Sequence, residues 1–276
     1  MDKYIKYKLK YLELKQNGGY NIYKKHLYTK IEIEEPIHKT IIKYNNNNFI
    51  VYDDSKIVGG TKSRLIRLLV SKVEEDEIVY AGPATGLAHV ALAYNAHKYN
   101  KKAVVFLSGY DKDKKELVEL SKKYGAKVII SEVGTLKNAQ DIAKEYVNKK
   151  ENRYLFPFGL RNLTNFRFFK VALEQALSNE KPPKRLWIVA GSGFLFEVLH
   201  DIWPNTHFMI VQVGKKIWPD QLYNIKHTLF IAPERFTEDA KSQPPYNTIP
   251  WYDAKLWQFF EKYNKEGDCI WNVGGL

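Results

Sequence analysis

The sequence predicts an α/β protein with parallel and mixed sheets, helices on both faces and a division into two lobes. Three observations carry this. Strand-like runs such as Ala103–Leu107 (AVVFL) and Lys127–Ser131 (KVIIS) alternate with amphipathic helical stretches, the pattern of βα units in a parallel sheet buried on both faces. A chain of 276 residues can build one large domain or two close lobes without disulfides or structural metal. Its 45% hydrophobic and 27% charged residues exclude wholesale disorder and a membrane-embedded chain.

The elements follow in order. Residues 1–25 form a basic leader: Tyr4, Tyr7, Tyr11 and Leu14 recur at helical spacing beside Ile5, Leu9 and Leu12, and the pattern stops at Asn17-Gly18-Gly19. Residues 1–30 hold eight lysines against two acids, a net +6 that is half of the chain's +12. Such a helix suits an anionic surface or a protein partner, or simply docks its apolar side and solvates its lysines. The cationic excess is 36 lysines against seven arginines. That is the wrong cation for planar, bidentate phosphate recognition, and abundant Lys, Asn, Ile, Tyr and Phe also follow from an AT-rich coding sequence.

Next, Thr40–Tyr44 and Phe49–Tyr52 read as a hairpin turned by Asn45–Asn48. Helix Ser63–Val73, strand Glu77–Ala81, helix Gly86–Tyr99, strand Ala103–Leu107, helix Lys112–Tyr124, strand Lys127–Ser131 and helix Leu136–Val147 follow. Then come helix Asn165–Leu177, strand Leu186–Val189, helix Phe194–Ile202, strand Phe208–Val213, an irregular connection Pro233–Pro250, helix Trp251–Tyr263 and strand Cys269–Trp271. The predicted smaller lobe is 66–153, and the larger lobe is 26–65 plus 154–276. A lone Cys269 cannot form an internal disulfide or a cysteine zinc site, so a cytoplasmic protein is expected. No apolar run is long enough for a transmembrane segment.

Three stretches carry candidate chemistry. In VYDDSKIVGGTKSR (51–64), a Gly59-Gly60 bend delivers Lys62 to a helix start, where the helix dipole and burial lower an ammonium's pKa. Alone, such a lysine is more often simply solvated. In AGPATGL (81–87) a strand turns into a helix through Thr85, Gly86 and Leu87, and free N–H groups there suit a carboxylate or phosphate. In VAGSGFLFEVL (189–199), Gly191, Ser192, Gly193 and Phe194 link a strand to a helix with the same potential.

In this order the stretches resemble the tryptophan-synthase-β-like (fold type II) pyridoxal-phosphate enzymes, nearest the aminocyclopropane-carboxylate deaminase and D-cysteine desulfhydrase branch, over about residues 49–276. YDDSKIVGGTKSR is similar to that branch's Asp-Asp, Gly-Gly-x-Lys-x-Arg signature, and YLFPFGLRNLTNFRFFKVALEQAL (154–177) to its Pro-x-Gly loop and helix. The resemblance implies a lyase or deaminase acting on a small amino acid through a Lys62 aldimine. It also implies cofactor phosphate at Gly191, Ser192, Gly193 and Phe194, substrate carboxylate at Thr85, Gly86 and Leu87, Tyr246 of PPYNTIPWYD as a catalytic tyrosine, and a homodimer. No metal is implied. The leader resembles those of mimivirus-like giant-virus proteins, which implies host cytoplasm or virion.

The sequence also departs from the pattern. Thr85-Gly86-Leu87 stand where that branch has Ser-Asn-His, and Phe194-Leu195 where its phosphate loop continues Gly-Thr. These departures sustain an alternative: a catalytically degenerate, repurposed protein of the same fold, structural or nucleic-acid-associated. A minor alternative reads Gly191-Ser192-Gly193 as the loop of a nucleotide- or S-adenosylmethionine-binding enzyme. That reading wants a third glycine and an acid at the next strand end, where Gln212 and Val213 stand. The seven histidines show no metal-ligand spacing, and no GxSxG elbow is present.

Overall fold

The computed structural model describes residues 35–132 and 134–276. The leader 1–25 and its predicted helix lie outside the described residues. Two sheets organise the rest. The larger has six strands in the order β1(Lys39–Tyr44), β2(Asn47–Asp53), β10(Cys269–Asn272), β7(Arg185–Ala190), β8(His207–Gln212), β9(His227–Ile231). Only β1 is antiparallel to its neighbour. The smaller sheet is wholly parallel, in the order β5(Lys127–Ile130), β4(Lys102–Ser108), β3(Glu77–Pro83), β6(Arg153–Leu155).

Seven helices connect these strands: α1(Thr61–Val70), α2(Ala88–Lys98), α3(Glu116–Lys123), α4(Leu136–Asn148), α5(Leu163–Ala176), α6(Phe194–Ile202) and α7(Trp257–Tyr263), counted among the described residues. The central strands read as unbroken apolar runs because both faces are covered: Leu186, Trp187, Ile188 and Val189 are all buried, as are Phe208 to Val211. Against α7, one face of the larger sheet is filled by rings. Trp187 stacks on Phe230 with centroids 5.5 Å apart, and Trp257 on Phe260 at 5.0 Å. Burying each such side chain contributes about 2–3 kcal/mol. The Trp187 indole N–H is matched by Asp268 at 2.7 Å, so the polar edge is not stranded.

The C-terminal strand matters most for position. β10 lies between β2 and β7, with Trp271 opposite Tyr52 and Asn272 opposite Asp53, so the chain end runs back past Gly60. The hairpin turn is tighter than predicted. Asn45 and Asn46 alone turn, at φ 47° and 65°, while Asn47 and Asn48 extend β2. A two-residue turn with positive φ at both positions twists with the strands, and Asn tolerates that backbone region.

Two predicted helices are shorter than expected. Lys112–Lys114 is a separate 3-10 turn capped by Asp111 before α3, and Asp253–Leu256 is another before α7. Strands β6 and β9 escape the sequence pattern, being three residues of low contrast and a half-exposed edge. Segment 232–252 contains no helix or strand, matching the predicted irregular connection. Among the described residues, no helix is long and apolar enough to cross a membrane and no acid, His or Cys cluster suits a metal ion.

Candidate active site

A cleft holding about 1270 Å³ of empty space, part of it open to solvent, is walled by α1, the β3–α2 turn, the β7–α6 turn and the irregular segment before α7. It brings Lys62 together with Thr85, Gly86 and Leu87 on one side and Gly191, Ser192, Gly193 and Phe194 on another. Among the described residues, no Asp, Glu, Arg or His lines it, and two lysines do: Lys62 and Lys215. The charged side chains among these lining residues are cationic near neutral pH, which favours an anionic ligand.

The Asp53-Asp54 pair explains how Lys62 is presented. Asp54 is fully buried and takes Arg64 at 2.7 Å and the Thr61 hydroxyl at 2.7 Å, and the Trp271 indole N–H donates to Thr61 at 3.0 Å. Residues 61 and 64 thus face inward, on the carboxylate, which leaves position 62 on the cleft side of the first turn of α1. Asp53 caps the 3-10 turn Asp54–Lys56 and accepts Asn272 at 2.9 Å, fixing β2 to β10. Its carboxyl is held below the usual range: burial would raise it, but bonds from Ser55, Asn272 and Thr40 outweigh burial. The Gly59-Gly60 bend has no room for side chains, since a Cβ on Gly59 would lie 2.4 Å from the Ala91 backbone and one on Gly60 2.0 Å from the Val273 carbonyl.

Among the described residues, the Lys62 amine meets no hydrogen-bond acceptor or counter-ion. Loss of water pushes its pKa down to about 8. Near neutral pH roughly a tenth of the amine is then uncharged, against a few parts in ten thousand for an ordinary lysine.

In the β3–α2 turn the Gly86 N–H is already committed to the Pro83 carbonyl at 3.1 Å. Of the three predicted carboxylate contacts, Thr85 and Leu87 therefore keep free N–H groups. Thr85, a cleft-lining residue only 4% exposed, adds a buried hydroxyl with no partner among the described residues. Two groups hold this turn. The Trp251 indole donates to the Thr85 carbonyl at 3.0 Å, and His89 lies 3.0 Å from the Ala84 carbonyl and 2.7 Å from the Ser121 hydroxyl. A carbonyl only accepts, so His89 Nε2 carries the proton and Nδ1 accepts from Ser121. Burial, with Lys62 as a smaller contributor, holds this imidazole neutral, its pKa down to about 4.

The β7–α6 turn carries free N–H groups at Ser192, Gly193 and Leu195, and Phe194 N–H reaches the Ser192 hydroxyl only at 3.5 Å. Gly193 sits at φ 80°, and a Cβ there would meet Gln221 Nε2 at 2.7 Å. The turn is a cradle that only glycine completes, at the positive end of α6. Pyridoxal phosphate fits this donor set: an amine for its aldehyde and a backbone cradle for its phosphate.

Tyr246 does not line the cleft. It packs edge-on against Trp257, centroids 6.2 Å apart, in the apolar cluster around α7. Two tyrosines line the cleft, Tyr80 from β3 and, in the irregular segment, Tyr252, whose hydroxyl accepts the Gly191 N–H at 2.9 Å. Tyr252 lies six residues on from Tyr246, in the same stretch, and the preceding Pro250-Trp251 was the available signal. Beside it Asp253 is buried with neither oxygen hydrogen-bonded, and burial pushes its carboxyl well above the usual range, with Asp53 adding to the shift and the Val273 backbone opposing it. Lys215, three residues past the end of β8, also escaped the sequence reading.

No protein-family model and no curated protein matches this sequence. Solved structures do. An ACC deaminase homologue aligns with TM-score 0.70 at 14% identity, over 88% of this chain and 90% of that one. O-ureido-L-serine synthase, as a K43A mutant with bound O-ureido-L-serine, aligns with TM-score 0.64 at 14% identity, over 88% of each chain. Diaminopropionate ammonia lyase from Escherichia coli aligns with TM-score 0.60 at 14% identity, over 91% of this chain and 87% of that one. Likenesses at this identity establish architecture, and with the two sheets described above they show that the chain has the tryptophan-synthase-β-like α/β fold.

Proposed function

We propose that this chain is a pyridoxal-phosphate-dependent enzyme of the lyase or deaminase kind, acting on an α-amino acid. The observation that carries the reading is Lys62: an amine without a partner among the described residues and with a lowered pKa, facing a cleft that holds two sets of free N–H groups and, among those residues, no acidic side chain. When bound, the cofactor supplies an electron sink for chemistry at the substrate's α-carbon. The chain's residues supply the rest. Lys62 holds the aldehyde and, once displaced, its amine takes the α-proton, for which a pKa near the working pH is suited. The N–H groups of Ser192, Gly193, Phe194 and Leu195 hold the phosphate, aided by Lys215. Thr85, through its N–H and hydroxyl, and the Leu87 N–H hold the substrate carboxylate. The Tyr252 hydroxyl stands in the role first given to Tyr246, as the acid or orienting group. The largely apolar walls exclude water and strengthen each of these contacts.

A second reading is favoured by two observations: the Tyr252 hydroxyl occupies the Gly191 N–H, and bulky Phe194 and Leu195 follow the cradle. A repurposed protein that has lost its cofactor would tolerate both. The visible spectrum of the purified protein titrated with pyridoxal phosphate separates the two. A saturable band in the wild type that borohydride abolishes and Lys62→Ala lacks is expected; a wild type without that band at saturating cofactor supports the repurposed reading.

A further inference from the structure

The β7–α6 turn is clamped from behind. The Ser192 carbonyl accepts Arg161 Nη1 and Gln221 Nε2, each at 3.1 Å, and both side chains are anchored on Glu197 Oε1, at 2.7 and 3.0 Å. Neither Arg161 nor Gln221 lines the cleft. In a trans peptide the N–H points opposite the carbonyl, so a Ser192 carbonyl held from outside turns the Gly193 N–H inward. The segment that brings Arg161 also reaches the smaller sheet. Just before it, a Cβ on Gly159 would lie 3.8 Å from the Ser192 Cβ, and the Gly159 backbone N–H faces the hydroxyl of Tyr80 on β3.

Tyr80 is aimed at this end of the cleft. Its ring lies along β3 over Gly82, where a Cβ would meet the ring at 2.6 Å and the hydroxyl at 2.9 Å, so the glycine makes its room. Gly82 is two residues nearer the end of β3 that meets the cleft, and the hydroxyl points that way. The N–H of Gly159 occupies a lone pair of the phenol and leaves its proton free. Among the described residues that O–H meets no acceptor, although Tyr80 is 2% exposed and lines the cleft. Burial pushes its pKa well above the usual tyrosine value, against a smaller opposing effect of Gly159, so it remains a donor. A buried donor in this state lacks only an acceptor.

Resting on the reading of the β7–α6 turn as the phosphate cradle, we infer that Tyr80 is a further binding residue, its hydroxyl donating to the phosphate monoester held at Ser192 and Gly193. The cradle carries no hydroxyl of its own past Gly193, where Phe194 and Leu195 stand, and a tyrosine from the smaller sheet supplies one.

The test uses Tyr80→Phe, which keeps the ring over Gly82 and removes only the hydroxyl. Wild type and variant are titrated spectrally with pyridoxal phosphate and with pyridoxal, which carries the same aldehyde without the phosphate. In the variant the half-saturating concentration of pyridoxal phosphate is expected to rise about tenfold, as for one hydrogen bond to a charged acceptor, while that of pyridoxal stays within about twofold. An equal rise for both, or no rise for pyridoxal phosphate, overturns the inference. A second arm needs no aldehyde. Inorganic phosphate is expected to raise the thermal midpoint of the wild type, and that of Tyr80→Phe by less than about half as much at the same concentration. Equal shifts, or no shift in the wild type, overturn the inference. If neither aldehyde binds the wild type, the function proposed for Lys62 fails, and the phosphate arm still decides the role of Tyr80.

Discussion

Lys62 shows what burial does to one residue. Its pKa falls from 10.5 to about 8, so between those values the unfolded chain holds a proton that the folded chain has released. Stability due to this residue therefore rises with pH across pH 8–10.5, and below pH 8 the full penalty of holding a charged amine in the cleft is present. Lys62→Met is expected to stabilise the protein at pH 7 by about 2 kcal/mol, a gain that shrinks to nothing by pH 10.5, checked by urea unfolding at several pH values. A gain independent of pH would mean that the amine is not desolvated. Sequence spacing located this lysine, because a glycine bend followed by a helix start is a local pattern. It could not choose between Tyr246 and Tyr252, since which tyrosine enters the cleft depends on how an irregular segment folds over β7, and no periodicity reports that.

Among the elements, the β3–α2 turn is held from behind. His89 is neutral in the fold, its pKa down to about 4, so the unfolded chain protonates first as pH falls. Stability is lost from pH 6.5 down to 4, on the order of 3 kcal/mol, and His89→Gln is expected to flatten that acid limb in thermal unfolding scans. The start of α1 depends on a buried pair. Asp54→Asn removes the carboxylate that pairs with buried Arg64 at 2.7 Å and is expected to cost about 3–5 kcal/mol, measured by denaturant midpoint. At the β7–α6 turn, Gly193→Ala combines a positive φ with a contact at 2.7 Å and is expected to weaken cofactor retention at least tenfold by spectral titration, while costing about 1–3 kcal/mol of stability. Most elements were legible because α/β units alternate two periodicities. Their ends were not, where a cap such as Asp111 or an inserted 3-10 turn breaks one predicted helix into two pieces.

At the scale of the molecule, the two sheets share one apolar cluster, and a few polar ties span the cleft as well. Trp251, beside the irregular segment, donates to the Thr85 carbonyl of the β3–α2 turn, while Lys114 bonds to the Thr237 carbonyl and to Asp239 and lies over the Trp251 ring at 4.9 Å. Trp251→Phe removes one hydrogen bond, worth about 1 kcal/mol, and is expected to weaken carboxylate binding about fivefold with little change in cofactor affinity. The fold class followed from composition and alternation, but these ties did not. They join residues more than a hundred positions apart, and a single sequence carries no signal of such pairings. The net charge of +12, half of it in the first thirty residues, proved uninformative about the cleft, where the charged lining among the described residues is two lysines.

The most direct test of the account is borohydride reduction of the wild-type protein mixed with one equivalent of pyridoxal phosphate, followed by peptide mass mapping. The account predicts one labelled lysine out of 36, Lys62, with labelling that rises through about pH 8. Label spread over surface lysines with Lys62 unmodified would contradict it.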